Sequence, residues 1–397
     1  MEQASTTIHD YTIMQELGGS SNVRLLGTNT SLVFSPRLLA LVADAQSDFT
    51  RFDEHLESSP IKECVSLAIA RMETFALAAI CGSELPFAHF VAPDSQWPTG
   101  ETAAKENARK YWEIVKNYHD PSYVECWQFN RDFLISMHTD LMEAQGWREG
   151  HPEERSCAGV SRFREMDVQG AISKAKIEEY VDDLMAFCSR DVYPTQLQSC
   201  IAHFQTHYIS PFSMLNAALG NVLSYALYAK RNYSKNVPVT IAVVTLDRVD
   251  HPLDSYTAEK EGAGDPYGLW LFHAVKALQH QIRFMKRIEA RFQTVLDRWT
   301  EVLGAKRCSP ICASLAHDLL SVPFVDSATV QARYGRTAPA ANAIIETMVE
   351  RGILAPLNGN KRNRVFCARE IIEIYYDSFN GMLPRGWVPA SFTKFDL

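Results

Sequence analysis

Two histidines one helical turn apart, His203 and His207, lie just before a short loop, Ser210-Pro211-Phe212-Ser213-Met214-Leu215-Asn216. A His pair at that spacing on one helix face is half of a metal site. The sequence offers no evident third ligand, so the pair also reads as two core histidines. The loop carries a second kind of chemistry. Pro211 stops the helix before it, because its ring blocks helical geometry at the preceding residue. After it, Leu215, Leu219, Val222, Leu223, Ala226 and Leu227 recur at helical spacing. A loop that enters a helix N-terminus aims free backbone N–H groups outward and suits an anion. The plain alternative is a tight joint between two core helices. Cys308-x3-Cys312 has no second pair at metal spacing and is not read as a zinc site.

Both chemistries depend on two helices, predicted over Gln196 to Tyr208 and over Leu215 to Tyr228. The run Ala202-His203-Phe204-Gln205-Thr206-His207-Tyr208-Ile209-Ser210-Pro211-Phe212 resembles the core of the Fic (Fido) family. That family's motif is His-Pro-Phe-x-Asp/Glu-Gly-Asn-Gly-Arg-x-x-Arg between two helices. Pro211, Phe212 and Asn216 match it. Its catalytic His is Ser210 here, its metal-binding acid Met214, its glycines Leu215 and Ala217, and its arginines Ala218 and Asn221. The resemblance implies a mainly α, Fic-like helical core with a short β-hairpin and a small C-terminal winged-helix domain.

The family transfers a nucleotide, usually AMP from ATP, to protein hydroxyls, and the substitutions weaken each part of that chemistry. A neutral serine cannot act as the general base near pH 7. A thioether is a poor ligand for magnesium. Side chains at Leu215 and Ala217 hinder backbone approach to phosphate. Loss of both arginines removes phosphate charge stabilisation. The resemblance thus implies a non-catalytic regulatory or scaffold protein, with ATP or another nucleotide as the ligand of any retained pocket. Asn216 and Phe212 are then the phosphate-loop candidates. A nucleotidyl or phosphoryl transferase of altered chemistry, using His203 or His207 as base, is the alternative.

The resemblance also places an inhibitory helix at the one predicted from about Pro60 to Ile80. The family's inhibitory glutamate falls at Cys81 and its arginine partner at Asn221, so both halves of that ion pair are absent. Met137-His138 and Leu141-Met142 are similar to a family helix ending in Leu-His-x-x-Leu-Met. Ser156 to Met166 stands where the family has a β-hairpin flap that aligns target segments, although an ordinary surface loop fits it as well.

The 397 residues carry a net charge of −8, with 46% hydrophobic and 22% charged residues, as in an ordinary soluble protein. That charge argues against bulk electrostatic binding to nucleic acid or anionic membrane. No apolar run is long enough to span a membrane, and the N-terminus lacks a secretory pattern. Nine scattered cysteines fit reduced thiols and a cytoplasmic location.

Residues 1–35 read as a polar N-terminal arm, 36–304 as the Fic-like helical domain, 305–375 as a winged helix-turn-helix and 376–397 as a tail. Helices are predicted from Ser35-Pro36 onward, from about Glu101 to Tyr118, from about Pro121 to Ala144 and over Ser173 to Ser189. Val237 to Val244 has strand-like composition, and residues 250–268 read as a polar loop. A long helix from Gly268 to Leu303 carries an apolar stripe that suits a domain-spanning core or a homodimer.

From residue 310 the pattern is helix, helix, helix, hairpin. Ser327 is expected to cap the second helix, Thr337 to start the third, and strands to form at Ile353-Leu354 and Arg364-Val365-Phe366. Residues 305–370 hold nine Lys/Arg against five Asp/Glu. Arg333, Arg336, Lys361, Arg362 and Arg364 are candidates for DNA phosphates, and Asn342 is the one good base-edge reader on the third helix. A DNA-binding transcription regulator acting through this module is the further alternative, and protein docking or dimerisation is its competing use.

Overall fold

A computed structural model describes residues 26, 34–83, 85, 90, 102–146, 163–164, 172–191, 193–243, 266–305, 308–356 and 364–380. The fold is mainly α. Helix α1 spans Pro36–Glu57, with Pro at its first turn and the Ser35 hydroxyl accepting from Leu38 N at 3.2 Å. Helix α2 spans Lys62–Ile80, and α3 spans Thr102–Tyr118. The single helix expected from Pro121 to Ala144 is two: α4, Pro121–Glu125, and α5, Arg131–Ala144. The reason is two competing caps. Asp120 caps α4, and the Asn130 side chain accepts from Phe133 N at 2.9 Å to start α5 afresh.

Helix α6 is Ile177–Ser189, α7 is Thr195–Ile209 and α8 is Asn216–Lys230. α7 and α8 form the centre of the core, and α8 is buried almost all round. A helix apolar on every face has no solvent side, so neighbours must surround it. α2, α3, α4, α5 and α7 all pack against α8. Helix α9, Pro266–Gly304, runs along α1 and α7 and reaches the C-terminal elements. Its Val275, Leu278, Ile282, Met285, Ile288, Phe292 and Trp299 are buried, as the apolar stripe requires. Among the described residues, no helix is long and apolar enough to cross a membrane.

The segment after α8 is not a strand. Residues 233–240 are irregular, and their N–H groups find side chains instead of a ladder. Buried Asp53 of α1 accepts from Lys235 N at 2.9 Å, Asn236 N at 2.9 Å and Val237 N at 3.2 Å. Buried Glu73 of α2 accepts from Ile241 N at 2.7 Å, from Ala242 N, and from Val243 N at 3.1 Å. Two carboxylates thus fix a β-branched stretch whose composition suggested a sheet. Buried N–H groups need an acceptor, and these acids supply it.

The C-terminal part contains α10, Pro310–Leu319; β1, Phe324–Asp326; α11, Ser327–Tyr334; α12, Ala338–Glu350; β2, Ala355–Pro356; β3, Val365–Cys367; and α13, Arg369–Asn380. β3 lies between β1 and β2, antiparallel to both, with Val325 opposite Phe366. Strand β1 was not anticipated, being only three residues long. Asp326, not Ser327, caps α11, because its carboxylate accepts from both Thr329 N and Thr329 Oγ1 at 2.7 Å. The strand expected at Ile353-Leu354 begins at Ala355. Gly352 takes a left-handed turn (φ 72°) and the next two N–H groups bond back to Met348 O. This part docks on α2, where Arg71 donates to Ser321 O.

Candidate functional site

The loop from Ser210 to Leu215 begins and ends in left-handed backbone. Ser210 has φ 43°, ψ 62° and Leu215 has φ 59°, ψ 16°. Each such residue other than glycine costs about 1–2 kcal/mol. Leu215 occupies one of the glycine positions of the resembled motif, so a leucine makes the turn that glycine would make freely. Burial of its side chain offsets the strain.

The polar groups of the loop are turned inward. Asn216 Oδ1 accepts from Phe212 N at 3.1 Å, and its Nδ2 donates to Phe212 O at 2.8 Å. The amide therefore staples the loop to the first turn of α8. Ser210 Oγ donates to His207 O at 2.6 Å. Phe212 is buried and stacks on the His138 ring, centroids 3.8 Å apart and planes 9° apart. His138 Nε2 lies 3.1 Å from Met214 O, so the N–H is on Nε2 and donates to that carbonyl. Burial pushes the imidazole down to about 4, and it stays neutral at physiological pH.

Below the loop sits a buried cation. Arg164 Nε donates to Ser210 O at 2.7 Å, its guanidinium reaches Ile172 O, and Arg164 N donates to Pro211 O at 2.9 Å. A positive group at the C-terminus of α7 satisfies carbonyls that have no helical partner and complements the helix dipole. Arg164 lies in the stretch expected to be a flap; of Ser156 to Met166, only Phe163 and Arg164 are among the described residues.

Ala218 and Asn221, at the motif's arginine positions, are both fully buried in the core. No solvated phosphate-facing surface exists at either. Cys81 is the C-cap of α2, and its carbonyl accepts from Gln145 Nε2 at 2.9 Å. The polar link between α2 and α8 is made elsewhere, by Tyr225 Oη donating to Glu73 Oε1 at 2.5 Å. Burial raises the Glu73 carboxyl to about 7, against four hydrogen bonds that favour its charged form.

His203 is buried against Gly220, where an added Cβ would sit 3.2 Å from the imidazole ring. The glycine is thus what lets α7 and α8 approach at His203. Among the described residues, no group of three His, Cys, Asp or Glu is placed to hold a metal.

The C-terminal candidates divide. Arg333 is tied to Asp318 at 2.7 Å, while Arg336 and Asn342 are exposed around the start of α12. Arg364 is exposed and lies over the Phe366 ring at 4.8 Å. Lys361 and Arg362 lie outside the described residues. Sequence reasoning missed Glu73, Tyr225 and Arg164. For Glu73 a signal was present, a single acid in the otherwise apolar run Met72 to Ile80. Arg164 gave none.

No family model matches this sequence, and no curated protein does. Among solved structures, the chain is similar to a Fic family protein from Desulfovibrio desulfuricans G20. The match has 15% identity and a TM-score of 0.45, and covers 85% of this chain and 97% of that one.

Proposed function

We propose that this chain is a Fic-like protein that keeps the motif loop as a structural joint and performs no nucleotide transfer. It acts as a regulatory or scaffold protein. The observation that carries this is the use of Asn216: both polar atoms of the one retained phosphate-loop side chain are bonded to Phe212. Ser210, Met214, Ala218 and Asn221 add no base, acid or cation. His138 is buried and stacked on Phe212, with its Nε2–H held by Met214 O. Calorimetric titration with magnesium and ATP tests this, and no saturable heat is expected.

A second reading concerns residues 308–380. The order helix, strand, helix, helix, strand, strand is that of a winged helix-turn-helix, which can dock on DNA or on a protein. In favour of DNA are Arg336 and Asn342, exposed near the start of α12, and Arg364, exposed just before β3. Arg333 is spent on Asp318. Gel-shift binding of duplex DNA, weakened at least tenfold by combined Arg336→Ala and Arg364→Ala, is the expected outcome; unchanged binding by that variant would remove DNA from this module.

A further inference from the structure

Helix α9 carries a row of basic residues on its outer face. His280, Arg283, Lys286, Arg287, Arg291 and Arg298 are all exposed. Steps of three, four, four and seven residues put His280, Arg283, Arg287, Arg291 and Arg298 on one stripe, with Lys286 beside it. At 1.5 Å per residue the stripe is about 27 Å long.

Several arginines elsewhere in the fold are paired with acids, while others, such as Arg51 and Arg336, have no acidic partner among the described residues. Arg109 pairs with Glu106 and Glu113, Arg131 with Glu178 and Asp182, and Arg333 with Asp318. On α9 itself, Arg291 pairs with Asp377 at 2.8 Å and Arg298 with Glu370, both from α13. Arg283, Lys286 and Arg287 have no acidic partner among the described residues. Three adjacent, solvated, like charges repel one another, so folding gains nothing from placing them together. Acids also lie near the row, among them Asp377 and Glu370 of α13. Glu289 on its flank is bonded to His55, and Asp297 and Glu301 lie at its far end.

We propose that this face of α9 binds the phosphodiester backbone of a nucleic acid, through Arg283, Lys286 and Arg287 with His280 at the edge. From His280 to Arg287 the unpaired part of the row is about 10 Å long, or roughly three base pairs of duplex at 3.4 Å each. The chain's net charge of −8 does not prevent this. Screening confines each charge to about 10 Å at 0.1 M salt, so the ligand feels the row and not the total. The surface lacks the apolar anchor that a membrane-inserting helix or a protein hot spot uses. Among the described residues the exposed large hydrophobic is Leu39, on α1. This site is separate from the motif loop and from α12, and it stands whether or not either binds a ligand.

The test uses the full chain and fluorescence anisotropy with a labelled 24-base-pair duplex of mixed sequence, between about 50 and 200 mM NaCl. Binding that weakens steeply with salt is expected. The triple variant Arg283→Gln, Lys286→Gln, Arg287→Gln is expected to bind about tenfold or more weaker, with a salt slope shallower by about 2–3. A charge-matched control, Arg51→Gln, Lys174→Gln, Lys176→Gln, is expected to stay within about threefold of the unmodified chain. All six side chains are exposed, and unchanged circular dichroism and melting confirm that both variants fold. Four results overturn the proposal: no duplex binding at about 50 mM salt, binding unaffected by the α9 triple variant, equal loss in the control, or tighter binding to phosphatidylserine vesicles than to the duplex.

Discussion

Replacing Glu73 with alanine is expected to destabilise the protein by about 3–5 kcal/mol, the range for leaving several buried donors without their acceptor. The side chain accepts from the Tyr225 hydroxyl and from three consecutive N–H groups, Ile241 to Val243. All four donors are buried, and water cannot replace the carboxylate. Chemical denaturation measures the loss; a change under about 1 kcal/mol would show that the segment rearranges to satisfy itself.

The same residue gives a pH dependence. Its carboxyl is raised from the ordinary 4.5 to about 7 in the fold. Between those values the folded chain holds a proton that the unfolded chain has released. The contribution is therefore complete below the unfolded value and is lost as pH rises through the folded one. The loss is of order 3 kcal/mol, and stability is flat in this term above about pH 7. Glu73→Gln cannot titrate, so the difference between variant and unmodified chain should itself change between about pH 5 and pH 8. A constant difference would place the shift elsewhere.

Arg164→Ala is the second large effect, expected at about 2–4 kcal/mol. It strips the carbonyls of Ser210 and Ile172 of their buried donor at the end of α7. Arg164→Lys should recover less than half, since an ammonium lacks the guanidinium fork and cannot reach spread carbonyls together. Thermal melts of the three proteins check this; full recovery by lysine would show that charge alone matters there.

What the sequence made legible follows local rules. The helices with apolar spacing, the Ser35-Pro36 start and the stop at Pro211 all appear where periodicity and capping place them. The motif loop was also legible as a joint between two core helices. Its strain was not, because nothing local says that Leu215 keeps a glycine's backbone. The misreadings have two different causes. Val237 to Val244 has strand composition, yet among its described residues the N–H groups of Val237, Ile241, Ala242 and Val243 are claimed by Asp53 and Glu73, more than 160 residues earlier in the chain. Composition reports preference, and only tertiary contact decides which acceptor arrives. The break before α5 lost to periodicity for the opposite reason, a purely local Asn130 cap inside an apolar pattern. The pairing state of surface arginines was equally hidden, since Arg283 and Arg291 look alike in sequence and differ only in what α13 brings near them.

The most direct measurement is isothermal calorimetry of the full chain with ATP, with and without magnesium, run beside a Ser210→His variant assayed for AMP transfer. A loop that is a joint gives no saturable heat, and restoring the histidine gives no transfer, because Asn216 stays bonded to Phe212 and positions 218 and 221 stay buried. Saturable, magnesium-dependent ATP binding, or label transferred by the histidine variant, would contradict the central claim and show that the loop still holds phosphate.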